Sequence, residues 1–195
     1  RPILLYTGNL DGYQNLELLL ASIGIVHRTI QDALLVLATH ATPRDLPPHL
    51  RQPPSGVRVV TAGDFATVRD LIQVADLALC PRREWSGFPM KLLNYMAAAK
   101  AVVVSAGSAK AVHHGRNGLV VGDHRPDAYA AAILELLADP ARRRVLGAAA
   151  RRTVEDEYGW GRVIDQVEAI YGTVLQRRAA AVATSTTRPF GVLET

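Results

Sequence analysis

The stretch Leu77-Ala78-Leu79-Cys80-Pro81, then Ser86-Gly87-Phe88-Pro89-Met90-Lys91-Leu92-Leu93-Asn94-Tyr95-Met96-Ala97, then Ala101-Val102-Val103-Val104-Ser105, decides the fold. A short apolar run stops at Pro81, an irregular loop holds Ser86-Gly87-Phe88, and Pro89 stands where a first helical turn tolerates it. Phe88, Leu92, Leu93 and Met96 form an apolar stripe at helical spacing, and a second apolar run follows. Neither run alternates between apolar and polar residues. That suits strands covered on both faces, as in a parallel sheet.

The same unit repeats in both directions. Apolar runs at residues 3–7, 33–38, 57–61 and 118–121 join those at 77–80 and 101–105. Helix-length patterns at 15–27, 44–51, 65–74 and 89–99 lie between the runs. Successive strand–helix units imply right-handed crossovers. The expected fold class is α/β: a doubly wound, Rossmann-like parallel sheet of about six strands with C-terminal helices. Residues 125–138 and 140–157 read as Ala/Leu/Arg-rich helices divided by Asp139-Pro140, with Asp139 able to cap the second. Residues 161–178 read as a last helix with Val163, Val167, Ile170 and Val174 on one face. The expected domain therefore spans 1–178, and the Ala/Thr/Ser-rich residues 179–195 are expected to form a flexible tail.

The chain has 195 residues, 49% of them apolar, which fits one domain or one half of a two-domain enzyme. About 70% of the unfolded surface can be buried at that size, so no covalent staple is needed. Cys80 is the single cysteine, which excludes an internal disulfide and a cysteine-based metal site and fits a reducing compartment. No apolar run approaches the roughly 18 residues of a membrane span. The chain starts inside its first strand, so it reads as a fragment without a signal peptide. The net charge is +4, concentrated in Arg142, Arg143, Arg144, Arg151 and Arg152. No aromatics interleave with these arginines, which speaks against nucleic acid as a partner. The plain reading is a solvated helix face, and contact with an anionic membrane surface is the alternative.

In an open α/β sheet, ligands bind beyond the carboxyl ends of the strands. Three loops sit there. In the first, Gly8 and Gly12 allow close approach of backbone, and the helix that follows offers free N–H groups to an anion. From spacing alone it is equally an ordinary glycine turn. The second is the loop of residues 81–89, where the amides after Gly87 form a seat for an anion, while Ser86 could be a plain cap and Asn94 a surface residue. The third holds adjacent His113 and His114, which point in different directions on a helix and have no third ligand at metal spacing, so no metal is expected. Asn117-Gly118 in that loop is a turn signal.

Together these segments resemble the carboxy-terminal, donor-binding half of the retaining nucleotide-sugar glycosyltransferases of GT-B architecture, glycosyltransferase family four and its relatives. Gly8-Asn9-Leu10 and Tyr13-Gln14-Asn15 stand where that family has Gly-Arg-Leu and Lys-Gly. Residues 87–103 resemble its most recognisable block, which two glutamates eight positions apart flank. His114-Gly115-Arg116-Asn117-Gly118-Leu119-Val120-Val121, residues 139–152 and Tyr158-Gly159-Trp160 resemble its later motifs, in the same order. The likeness covers about residues 3–175.

The resemblance implies transfer of a hexose, with retention, from a UDP-, GDP- or ADP-sugar to a polysaccharide or glycolipid, with no metal or other cofactor. It also implies an acceptor domain that would precede this one. The implied location is cytoplasmic, with the inner membrane surface as the alternative. By position, Ser86 and Asn94 replace the paired glutamates and are the candidate catalytic residues. Gly8, Asn9, Gln14, Gly87, Phe88, Pro89, Met90 and Lys91 are the candidate donor-binding residues, with Asn9 and Gln14 replacing the loop's Arg and Lys. Lys91 or Arg83 is a candidate substitute for the lost charge, and Glu84 lies two positions before the first glutamate's place. An amide can hydrogen-bond but cannot neutralise a diphosphate. Loss of one transition-state donor costs about 3–4 kcal/mol in other enzymes. The four replacements therefore raise an alternative: a catalytically weak, glycosyltransferase-like binding or scaffold module. A generic α/β phospho-ligand domain is a third reading.

Overall fold

The computed structural model describes residues 1–83, 87–122 and 124–186. These divide into two compact units, Arg1–Glu155 and Asp156–Thr195.

The first unit holds a parallel sheet of β1 (Ile3–Thr7), β2 (Leu34–Thr39), β3 (Val57–Thr61), β4 (Leu77–Cys80), β5 (Ala101–Ser105) and β6 (Leu119–Val121). Their order is β3-β2-β1-β4-β5-β6, with every pairing parallel. The helices α1 (Leu16–Val26), α2 (Pro48–Arg51), α3 (Phe65–Val74), α4 (Met90–Ala97) and α5 (Pro126–Ala138) connect or follow the strands. Helix α6 (Pro140–Glu157) comes next, and α7 (Trp160–Thr186) lies in the second unit.

Side-chain alternation splits each strand between two covered faces. Leu4, Leu35, Leu37, Leu77, Leu79 and Val103 share one buried cluster with Leu19 and Ile23 of α1 and Ile133 of α5. Leu5, Val36, Ala78, Val102 and Val104 are equally buried but lie outside that cluster. Covering on both faces is why the runs lack polar alternation.

The pattern expected at 44–51 forms only the short helix Pro48–Arg51. Pro48 holds Pro47 in extended backbone, at φ −53° and ψ 146°, so no helix can run through that residue. Helix α7 continues to Thr186, eight residues past the expected boundary at 178. Residues 187–195 lie outside the described residues.

The strand order reverses between β1 and β4. The chain leaves β1 toward β2 on one side and leaves β4 toward β5 on the other, so a crevice opens where their loops diverge.

Candidate functional site

Both loops at this switch point are tied to the sheet and to each other. After β1, Gly8 adopts φ +130° and donates its N–H to Ala38 O at 2.9 Å. A 3-10 turn at Gly12–Gln14 follows, and Asn15 enters α1 in left-handed conformation at φ +56°. The buried Asn15 donates from Nδ2 to Pro81 O (3.3 Å), and Arg83 N donates to Tyr13 O (3.2 Å). Ser105 Oγ donates to the same Pro81 carbonyl (3.1 Å) and Ser108 Oγ to Arg82 O (3.4 Å). The loop after β4 thus starts from a fixed path, held from both sides.

Helix α4 begins at Met90, with Pro89 buried before it. Leu92 N reaches back to Pro89 O at 2.8 Å, while the amides of Met90 and Lys91 have no carbonyl partner within the helix. Those amides and the helix dipole favour an anion at this end. Gly87 is exposed at φ +67°, Phe88 is half-buried and Met90 is exposed. One turn deeper, Tyr95 OH accepts from Thr7 N (2.7 Å) and hydrogen-bonds Thr7 Oγ1 (2.8 Å), which joins α4 to the end of β1.

Lys91 brings the two loops together. Its Nζ donates to Gln14 Oε1 at 2.9 Å and sits 4.1 Å from the centre of the Tyr6 ring. Gln14 Nε2 donates in turn to Asn9 Oδ1 (2.8 Å), and Asn9 Nδ2 donates to Tyr13 OH (3.1 Å) and to the Asp11 carboxylate. Tyr6 OH donates to Asn9 O at 2.6 Å, and Arg82 lies over the Tyr13 ring at 5.0 Å. Burial, the largest effect, pushes the Lys91 ammonium down to about 8, with Arg82 adding to the shift and Cys80 opposing it. Burial also pushes the phenols of Tyr6 and Tyr95 up, so both remain protonated hydrogen-bonding groups.

Of the residues singled out in the sequence, Gly8, Asn9, Gln14 and Lys91 meet in one network, and Pro89 and Met90 open the helix beside it. Gln14 is only 5% exposed, and both ends of its amide are engaged within the chain. Asn94 is not part of this network. It is exposed on α4 and lines a groove of about 220 Å³ with Phe65, Arg69 and Gln73. Ser86 and Glu84 lie outside the described residues. The sequence reading missed Tyr6, Tyr13 and Arg82. The only signal for them was proximity to strand ends, which does not reveal ring stacking. His113 and His114 build the turn before β6: His113 N donates to Asn117 Oδ1 (2.7 Å), and His114 Nδ1 lies 3.1 Å from Val120 N. Among the described residues no cluster of three His, Cys, Asp or Glu side chains could hold a metal ion, and no helix is long and apolar enough to cross a membrane.

Comparison with known proteins agrees with this architecture. The family model described as glycosyl transferases group 1 matches residues 1–139. A D-inositol 3-phosphate glycosyltransferase of Kineococcus radiotolerans is 34% identical over 135 residues, covering 64% of this chain and 30% of that protein. The C-terminal domain of a glycosyl transferase group 1 family protein from Francisella tularensis superposes with a TM-score of 0.70 at 18% identity, covering 82% of this chain and 86% of that one. Anabaena Alr3699/HepE, solved in complex with UDP, superposes with a TM-score of 0.75 at 15% identity, covering 88% and 48%. The chain spans less than half the length of the curated relatives it matches. It belongs to the group 1 glycosyl transferases, and its fold is that of the carboxy-terminal α/β domain of their GT-B architecture.

Proposed function

We propose that this domain binds the nucleoside-diphosphate part of a sugar donor at the carboxyl ends of β1 and β4. In this reading it serves an enzyme that transfers a hexose with retention to a polysaccharide or glycolipid acceptor. Membership of the group 1 glycosyl transferases supports glycosyl transfer from a nucleotide sugar. Anabaena Alr3699/HepE, of the same fold, was solved with UDP and with UDP-glucose, which favours UDP-sugar as the first donor to test.

One observation carries the reading: the first turn of α4 sets the half-buried Lys91 ammonium against the loop after β1, where Gly8 leaves room beside it. Amides at a helix start and a fixed cation need no reorganisation when charge develops on a departing diphosphate. The proposed chemistry draws on neither a metal nor another cofactor. The acceptor would be presented by a second α/β domain that precedes this one, and the enzyme would work in the cytoplasm or at the inner membrane surface. Ser86 and Asn94 are the candidate catalytic positions of this reading by their place in the family's motif alone. The weak binding-module alternative rests on the replaced charges alone, and the ammonium at the crevice removes part of its motive.

Calorimetric titration of the chain with UDP, GDP, ADP and their sugars tests the reading. We expect binding of at least one diphosphate. Absence of binding to all of them at millimolar ligand would overturn it.

A further inference from the structure

We propose that Lys91 is the cation facing the donor's diphosphate, and that Gln14 is a positioning residue that aims Lys91 without touching the ligand. The proposal rests on the donor-site reading above and assigns the charge within it.

Lys91 is the second residue of α4, and its ammonium lies beside Gly8, the Tyr6 ring and Gln14 at the end of β1. An ammonium has three donors. Among the described residues Gln14 Oε1 is its one hydrogen-bond acceptor, the Tyr6 ring face covers another side, and no carboxylate pairs with it. Lys91 is half-buried, so its remaining donors are available to an anion that enters beside it. The space for it is made by Gly8, where a Cβ would stand 2.7 Å from Lys91 Nζ.

The hydrogen bonds around Gln14 have a direction. Lys91 donates to Gln14, Gln14 to Asn9, and Asn9 to the exposed Asp11 carboxylate. Each amide accepts on the lysine side and donates on the acid side. The nearest negative charge in this relay is therefore two amides from the ammonium, which holds Lys91 in place without neutralising it. A direct Lys–Asp pair would cancel the charge that a diphosphate needs. Gln14 itself is buried and bonded at both ends of its amide, with Oε1 held by Lys91 and Nε2 by Asn9, so its place is behind the ammonium. The geometry also sets charges at 14 and 91 against each other, because a lysine at 14 would bring a second ammonium near the first.

The test is calorimetry on the full chain with UDP and, as the phosphate-free probe, uridine. Lys91→Met keeps the length and removes the charge. We expect it to weaken UDP binding about 10- to 100-fold, the range for one hydrogen bond to a charged group, and to leave uridine binding unchanged. Gln14→Lys alone should weaken UDP binding, whereas Gln14→Lys combined with Lys91→Met should recover part of the loss. Gln14→Met should shift the pH midpoint of UDP affinity downward, because its carbonyl favours the charged lysine; a merely structural role would not move that midpoint. The other groups around the ammonium are the Tyr6 phenol, the Cys80 thiol and Arg82, and these variants leave all three in place. Thermal unfolding of each variant establishes that it is folded. If the unaltered chain binds no nucleoside diphosphate, the donor-site reading fails and takes this assignment with it. If it binds UDP and Lys91→Met binds UDP equally well, the assignment alone is overturned.

Discussion

The Tyr95 hydroxyl lies 2.7 Å from Thr7 N and 2.8 Å from Thr7 Oγ1, so one buried phenol on α4 holds the final residue of β1 through both backbone and side chain. Tyr95→Phe leaves Thr7 N without a partner in a buried setting, and a cost of about 1–3 kcal/mol follows from the unpaired donor. Urea unfolding should show that loss. UDP affinity should fall with it, because the second turn of α4 is no longer tied to the end of β1.

Donor affinity should decline as pH rises through about 8, where the half-buried Lys91 loses its proton. Stability moves the other way. Lys91 titrates near 8 in the folded chain and near 10.5 when exposed, so its charged form penalises folding below 8, and that penalty is relieved as pH climbs from 8 to 10.5. Binding and urea midpoints measured across this window should therefore diverge in the native chain. In Lys91→Met both trends should flatten, and a native-like binding profile in that variant would contradict the account.

Gly8→Ala forces a Cβ to within 2.7 Å of Lys91 Nζ at a backbone φ of +130° that side chains rarely adopt. We expect about 1–3 kcal/mol of lost stability from the strained backbone. UDP affinity should also drop, since the ammonium must shift. A variant with native stability and native affinity would show that the lysine has room elsewhere.

Gly107→Ala places its Cβ 2.3 Å from Arg83 O and 3.0 Å from Arg82 O. The obstacle is backbone, so the chain after β4 must move rather than a flexible side-chain tip. Overpacking of this kind costs about 1–3 kcal/mol. The expected result is a lower unfolding midpoint together with weaker UDP binding, read by calorimetry and urea titration.

The Cys80 thiol is 1% exposed, and burial, the largest effect, raises its pKa. It should resist alkylation in the folded chain and react at the rate of unfolding, because the thiolate is the reactive form. Labelling followed by mass spectrometry at increasing urea would check this. Rapid labelling without urea would mean that β4 opens readily.

The strands were legible because each is a compact apolar run between turn residues. The runs at Ile3–Thr7, Val57–Thr61, Leu77–Cys80 and Ala101–Ser105 form strands over the same residues that the sequence marked. The helix at 44–51 was misjudged because its local pattern ignored the backbone restriction that Pro48 imposes on Pro47. In the site, Gly8, the start of α4 and the position of Lys91 were legible from loop composition and from Pro89. The relay from Lys91 to Asp11 was not, since residues 77 positions apart meet only when two loops converge.

The sequence by itself determined the doubly wound class and the two loops that carry the chemistry, because hydrophobic periodicity and turn residues act over a few neighbours. Tertiary structure alone decided that Gln14 turns inward to hold Lys91, and that Asn94 stands apart on the face toward Phe65. The physical reason is that desolvation and hydrogen-bond direction belong to a place in the folded chain, and no local pattern encodes which distant side chain will share that place.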